Sequence, residues 1–300
     1  GLVFPTSLAV SPDGRRVAFA AARADFEKSG WGGRIYLAGE GEAAHPFTAG
    51  LAEDRLPKWS PDGKSLAFLS NRKSAKEEDS RDDIFQIWLL PVSGGEPEEM
   101  TQAPEGVLDF EWSPDGEGIF FFAPAAEPPA VKESRLRAEE EKDDAVVQDR
   151  DRLREELWHL ALPEGESRRV FRGDYGCRDL AVSPDGTKIL YTATGTGDND
   201  DERNRDVWLF DIKCGAARRI TSRAGMEWKP AFSPDGKNVL FIAFAEPPVE
   251  FGRTDLFRVP LEGGEPFSLT GKSDIEVEDY RWPSKSGRIF SSGNTAIRLN

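Results

Sequence analysis

The chain has 300 residues, 38% hydrophobic and 31% charged, with 19 Phe and 8 Trp, enough apolar material for a sizeable core and too much for global disorder. Its formal net charge of −15 repels phosphate backbones and anionic lipids, which argues against a nucleic-acid or membrane-surface partner. No apolar run approaches the ~18 residues of a membrane span, and two cysteines, Cys177 and Cys214, cannot form a disulfide framework for a chain of this size.

The first predicted unit sets a pattern that the rest of the chain repeats. Val10 leads into the turn Ser11-Pro12-Asp13-Gly14, and an apolar triplet, Val17-Ala18-Phe19, follows it. A third apolar stretch, Ile35-Tyr36-Leu37, and a short polar one ending at Thr48 complete the unit. Pro at the second turn position pre-sets φ, Asp suits the third, and Gly accepts the left-handed backbone that closes the turn. Such a turn joins two antiparallel strands.

Four further copies follow, with Ser60, Ser113, Ser183 and Ser233 opening the same tetrapeptide after Trp59, Trp112, Val182 and Phe232. Their second strands read Leu66-Ala67-Phe68, Ile119-Phe120-Phe121, Ile189-Leu190-Tyr191 and Val239-Leu240-Phe241. Continuous apolar runs of this kind suit strands covered on both faces. Their third strands centre on Trp88, Trp158, Trp208 and Phe257, followed by turns such as Ser93-Gly94-Gly95 and Glu262-Gly263-Gly264. The fourth strands end in Thr101, Thr221 and Thr270, with Arg172 at that place in the third copy. A worn sixth copy, Trp282-Pro283-Ser284-Lys285-Ser286 with Ile289-Phe290 after it, lacks the Asp and Gly of the others.

Four antiparallel strands per ~50 residues, repeated, are the signature of β-propeller blades. A single blade cannot bury both faces of its inner strands, whereas blades packed on one another can. A two-sheet sandwich would not need the same turn at the same period. The expected organisation is therefore all-β, one propeller domain over 1–300. Its blades run over roughly 5–50, 51–103, 104–173, 174–223 and 224–272, with a partial sixth over 273–300 whose third strand falls near Ala296 to Leu299. The partial blade suggests a piece of something longer. Gly1 to Val10 shows no secretory signal, so a cytoplasmic location is expected, although a leader removed before Gly1 stays open.

The third copy carries an insertion over about 130–156. From Lys132 to Glu156, 17 of 25 residues are charged, which reads as a solvated excursion, helical in part or disordered. Leu136, Val146, Val147 and Leu153 could give a short helix a narrow apolar face, and a lid or docking arm is the functional alternative. In the matching loop of the fourth copy, Asp198, Asp200 and Glu202 have alternate spacing. Arg203 and Leu209 stand where an EF-hand needs Gly and Glu, so this too reads as a solvated acidic loop. His45 and His159 lie in different repeats without a ligand pattern, so no metal or other cofactor is expected, and Cys177 and Cys214 read as unpaired thiols.

No catalytic residue is assigned. Ser65, Ser167 and Ser273 have Gly two positions earlier, but Ala67, Arg169 and Ile275 stand where a nucleophile turn needs a small residue after the serine. The five Ser-Pro-Asp-Gly serines occupy turns made for geometry. No glycine-rich phosphate loop opens a helix, and no binding residue is singled out.

The repeated tetrapeptide, with Trp59, Trp112 or Phe232 before it and runs such as Leu66-Ala67-Phe68 after it, resembles the TolB/WD40-like propeller repeat. TolB, tricorn-type proteases and the prolyl oligopeptidase family share that repeat. The opening Val10 to Phe19, and the insertion with Asp143-Asp144-Ala145-Val146-Val147 leading to Leu157-Trp158, are similar to acylaminoacyl-peptidase-like members of the last family. The resemblance implies a seven- or eight-bladed propeller ahead of an α/β-hydrolase domain, capping its cleft and admitting short peptides. The catalytic Ser, Asp and His would then lie beyond Asn300. The partner would be that hydrolase domain or a peptide substrate. The other reading is a free-standing TolB-like module that docks a protein partner.

Overall fold

A computed structural model describes residues 4–25, 30–50, 52–72, 84–141, 153–163, 165–173, 176–196, 201, 203–246, 252–282 and 288–295. Five four-stranded sheets are formed, each from strands consecutive in the chain. The first contains β1 (Phe4–Val10), β2 (Arg16–Asp25), β3 (Gly30–Gly39) and β4 (His45–Pro46). The second contains β5 (Asp54–Trp59), β6 (Ser65–Ser70), β7 (Gln86–Pro91) and β8 (Glu98–Glu99). The third contains β9 (Asp109–Trp112), β10 (Gly118–Pro124), β11 (Glu155–Ala161) and β12 (Ser167–Arg172), with helix α1 (Pro129–Glu141) inserted between β10 and β11. The fourth contains β13 (Arg178–Val182), β14 (Lys188–Ala193), β15 (Asp206–Asp211) and β16 (Ala216–Arg219). The fifth contains β17 (Glu227–Phe232), β18 (Asn238–Phe244), β19 (Thr254–Pro260) and β20 (Phe267–Ser268). A two-stranded sheet of β21 (Ile275–Arg281) and β22 (Phe290–Thr295) follows. These are the five expected β-propeller blades and the start of a sixth. The worn turn at 283–287 and the strand expected near Ala296 to Leu299 lie outside the described residues.

Register explains why the second and third strands carry aromatics. Phe19 lies opposite Tyr36, Phe68 opposite Trp88, Tyr191 opposite Trp208 and Phe241 opposite Phe257. Phe19–Tyr36 and Phe241–Phe257 stack with ring centroids 5.5 and 5.6 Å apart. Such pairs add to sheet stability beyond the area they bury.

Contacts divide the chain into two compact units, Gly1–Ala123 with His159–Arg168, and Pro124–Trp158 with Arg169–Asn300. In the first, Ala18, Ile35 and Leu37 of blade one pack on Trp59, Leu66, Phe68, Trp88 and Leu90 of blade two. In the second, Leu190, Val207, Leu209 and Ile220 of blade four pack on Val239, Phe241, Phe257 and Val259 of blade five. Leu240, Ile242 and Leu256 on the other face of blade five pack on Val277 and Tyr280 of β21. Apolar runs in the second strands are thus used on both faces. No helix among the described residues is long and apolar enough to cross a membrane.

Candidate functional site at the loop ends of the blades

Each blade has two ends of different chemistry. One end carries the Ser-Pro-Asp-Gly turn. The N–H of Gly14 donates to the Ser11 carbonyl at 2.8 Å, and Gly63, Gly116, Gly186 and Gly236 repeat the bond with φ near +70°. The Ser11 hydroxyl donates to Asp13 Oδ1 at 2.6 Å and accepts the Arg16 N–H at 2.9 Å. Asp13 in turn accepts the Arg15 N–H at 3.1 Å. The same three bonds recur around Ser60, Ser113, Ser183 and Ser233. The serine is needed because it donates and accepts from one buried atom. The hydrogen bond from that hydroxyl, then the backbone N–H, hold the carboxyls of Asp13, Asp62, Asp115 and Asp235 below the usual range, and that of Asp185 at about 2.

Blades are also tied near this end by a donor that apolarity alone does not reveal. Trp59 Nε1 donates to the Ala9 carbonyl at 3.0 Å, and Trp112 Nε1 to the Lys58 carbonyl at 3.1 Å, each reaching the first strand of the preceding blade. Tyr280 makes a related link, its hydroxyl donating to the Lys229 and Leu240 carbonyls at 2.6 and 3.0 Å. In β5, β13 and β17 the register slips at a bulge, and Leu56, Asp179 and Lys229, each four residues before the repeated serine, adopt φ of 52°, 55° and 50°. Such bulges twist a strand and re-aim its side chains.

At the opposite end the first strand starts, the second ends, the third starts and the fourth ends. The connections at 26–29, 73–83, 142–152, 197–200 and 247–251 leave from this end and lie outside the described residues, as do Val146, Val147, Asp198, Asp200 and Glu202. Here the repeated threonine has a structural task. Thr48, Thr101, Thr221 and Thr270 accept through Oγ1 the N–H of Ile35, Ile87, Val207 and Leu256 at 2.9–3.0 Å, which closes the third strand onto the fourth. The residue before each of those N–H groups clamps the same junction with different chemistry. Arg34 donates to the Gly50 carbonyl, Gln86 bonds Thr101 and Ala103, Asp206 faces Arg219 at 3.3 Å, and Asp255 accepts from Ser268 at 2.8 Å. In blade three Glu156 holds that place, with Arg169 at 2.8 Å.

Two acids start a first strand six residues before the repeated serine, and their surroundings differ. Asp54 is 1% exposed and lies 2.7 and 2.9 Å from Arg72 Nη2. Arg72 also donates to Ser70 and sits over the rings of Phe68 and Trp88. Glu227 is 0% exposed. Its Oε2 accepts the Thr221 hydroxyl and, at 3.1 Å, the Val207 N–H. Its Oε1 has no hydrogen-bond partner among the described residues, and the same holds for Oδ1 of Asp206. Burial, reinforced by the nearby Asp206 charge, pushes Glu227 up to about 7; burial pushes Asp206 up to about 6, against the pull of Arg219.

The residues weighed for catalysis and metal binding each have a structural setting of their own. Ser65 begins β6, Ser167 begins β12, and Ser273 donates to the Thr270 carbonyl at 2.7 Å. His159 packs on Phe120, with ring centroids 4.6 Å apart, and burial lowers its pKa; His45 is exposed on β4. Cys177 is buried, Cys214 is exposed, and neither forms a disulfide. No group of three or more His, Cys, Asp or Glu among the described residues is arranged to hold a metal ion. The insertion leaves blade three at the loop end, and Lys132, Glu133, Ser134 and Arg137 of α1 are exposed.

No family model matches the chain. It is similar to the uncharacterized peptidase YuxL of Bacillus subtilis, 27% identical over 222 residues, covering 70% of this chain and 32% of that protein. It is similar also to dipeptidyl-peptidase 5 of Porphyromonas gingivalis, 22% identical over 309 residues, covering 95% of this chain and 44% of that protein. The chain is a β-propeller with peptidase relatives. It spans less than half the length of either. Two solved structures share the fold. The acylaminoacyl peptidase of Pyrococcus horikoshii superposes with a TM-score of 0.61 at 13% identity, over 93% of this chain and 41% of that one. TolB of Acinetobacter baumannii superposes with a TM-score of 0.55 at 21% identity, over 88% of this chain and 56% of that one.

Proposed function

We propose that residues 1–300 form one non-catalytic propeller domain that gates the active site of a serine peptidase acting on short peptides. The observation that carries this reading is the pairing of 95% coverage of this chain with only 44% coverage of a dipeptidyl-peptidase, which leaves more than half of that relative for other parts. The two-ended blade supports it. Five near-identical turns make one end uniform, while the loop end varies in length and charge and carries the blade-three insertion. A gate needs a constant frame and a variable rim.

The alternative is a TolB-like interaction module, favoured by the structural match to TolB. The reading frame around residues 1–300 separates the two. The peptidase reading expects a hydrolase segment in the same polypeptide, and a fluorophosphonate probe that labels a serine outside 1–300. Full-length protein should cleave short peptides and spare folded proteins, and removing 1–300 should widen that selectivity. Labelling of a serine within 1–300, abolished by mutating it, would overturn the non-catalytic assignment. A parent without a hydrolase segment would favour the interaction module.

A further inference from the structure

The Ser-Pro-Asp-Gly turn puts an Asp-Gly bond at the tip of five blades, at Asp13, Asp62, Asp115, Asp185 and Asp235. Glycine has no side chain to hinder its nitrogen, which makes this dipeptide the one most prone to cyclise. The glycine nitrogen attacks Cγ of the protonated aspartic acid. A C–N bond forms, and the amide proton and the carboxyl OH leave together as water. Water then opens the succinimide at either carbonyl, returning aspartate or giving isoaspartate, whose main chain is one methylene longer. Water is the only species released and consumed. A lengthened turn no longer sets the register of the two strands it joins.

That reaction has two requirements: the amide gives up its proton and the carboxyl takes one. Every turn opposes both. The glycine N–H is engaged, donating to the serine carbonyl at 2.8–2.9 Å. The carboxyl accepts through Oδ1 the serine hydroxyl at 2.5–2.7 Å. The same oxygen accepts the N–H two residues on at 2.9–3.1 Å. Hydrogen bonds donated to a carboxylate favour the ionised form, which is the unreactive one. Burial gives no protection, because all five aspartates are exposed. The serines, by contrast, are 1–6% exposed. Each hydroxyl is also fixed by the backbone N–H it accepts five residues on. Pro, Asp and Gly already suit the inner turn positions, so the hydroxyl has work beyond the bend itself.

We infer that the buried serine of each turn shields the Asp-Gly bond that follows it from isoaspartate formation, and that the five bonds are shielded unequally. Asp185 is shielded best. Thr187 gives it a hydroxyl at 2.8 Å as well as an N–H. With the carboxyl at about 2, its protonated fraction near neutral pH falls roughly fifty- to a hundredfold below that of an ordinary aspartate. Asp62 and Asp115 come next. A side-chain carbon on Gly63 or Gly116 would meet Pro12 or Pro61 of the preceding turn at 3.5 and 3.6 Å, so attack there is crowded. Asp13 and Asp235 accept the serine hydroxyl and one N–H, and open space surrounds Gly14 and Gly236. These two are the weak points. The inference stands whether the chain gates a peptidase or docks a partner.

Peptide mapping of residues 1–300, aged near neutral pH with and without urea, measures isoaspartate at each turn. All five should isomerise more slowly folded than unfolded. In the folded chain Asp13 and Asp235 should lead and Asp185 should come last, and in urea the five rates should converge. Ser11→Ala should raise isoaspartate several-fold at Asp13, and Ser233→Ala at Asp235. The other four turns should stay at their wild-type rates, which also shows that the variant is folded. Ser11→Thr keeps a hydroxyl and should restore the slow rate, an outcome that a purely geometric role for serine does not require. Thr187→Val keeps the test open if the serine variants do not fold. It leaves Ser183 in place and should quicken Asp185 alone. Folded wild type isomerising as fast as the chain in urea, a folded serine variant with an unchanged rate at its own aspartate, or an indifferent Thr187→Val would overturn the inference.

Discussion

Asp54 and Glu227 occupy the same place in two blades and meet opposite electrostatic fates. Asp54 has a guanidinium against both oxygens, and Arg72 is itself held by Ser70 and two aromatic rings. Glu227 accepts from a hydroxyl and one N–H, and feels the Asp206 carboxyl and, more weakly, the Arg223 guanidinium. The lesson is that a repeat fixes where a side chain goes and leaves its charge state to the neighbours. Twelve residues after the repeated serine, blade two has Arg72 and blade five has Ala245. Asp54 thus has a guanidinium bonded directly to it, whereas burial pushes Glu227 up to about 7.

The largest expected effects come from breaking the well-paired side. Arg72→Ala strands Asp54 as an uncompensated buried charge and should cost about 3–5 kcal/mol in chemical denaturation. Phe68→Ala and Phe241→Ala, which empty core positions shared by all blades, should cost a similar ~3–5 kcal/mol. A silent Arg72→Ala would mean that Asp54 is already neutral or solvated, and the contrast with Glu227 would vanish.

Glu227→Gln should act in the other direction. The amide keeps the acceptor that Thr221 and Val207 use and removes a charge that burial makes costly. At about pH 8 it should stabilise the protein by roughly 1–3 kcal/mol, with a gain that shrinks toward pH 4. Clear destabilisation at pH 8 would show that the charge itself is needed.

How far the sequence led depended on the range of the interaction. The turns were legible because Ser, Pro, Asp and Gly act on one another within five residues. The third strands and the capping threonines were legible through repetition, although the threonine's bond to the third-strand N–H was not. The positive-φ bulges at Leu56, Asp179 and Lys229 were not, because neither Leu nor Lys favours that backbone and only the sheet imposes it. Trp59 and Trp112 read as apolar, and their indole donors gained meaning only from the preceding blade. The raised pKa values of Glu227 and Asp206 were invisible because 21 residues separate the two and their burial comes from the packing of blade five on blade four.

Smaller effects separate the two ends of a blade. Replacing 129–152 by a short linker should change stability by less than about 1 kcal/mol, as expected for surface changes, and far less than Phe121→Ala. Survival of Phe121→Ala together with unfolding on the deletion would reverse the assignment of core and insertion. Asp185→Asn should flatten part of the acid limb. The turn aspartates have depressed folded-state pKa values, so their contribution is present above the unfolded pKa near 4 and is lost as pH falls, toward about 2 for Asp185. Acid unfolding unchanged in Asp185→Asn would contradict that role.

The most direct measurement is the free energy of unfolding of residues 1–300 as a function of pH, from about pH 4 to about pH 8, in wild type and Glu227→Gln. Glu227 and Asp206 bind protons more tightly folded than unfolded, at about 7 and about 6. Their contribution to stability is therefore fully present below the unfolded value near 4 and lost as pH rises through 6 and 7. The account predicts a wild-type curve that falls across that window and a Glu227→Gln curve with most of the fall removed. A wild-type curve that rises through the window, or two parallel curves, would contradict it.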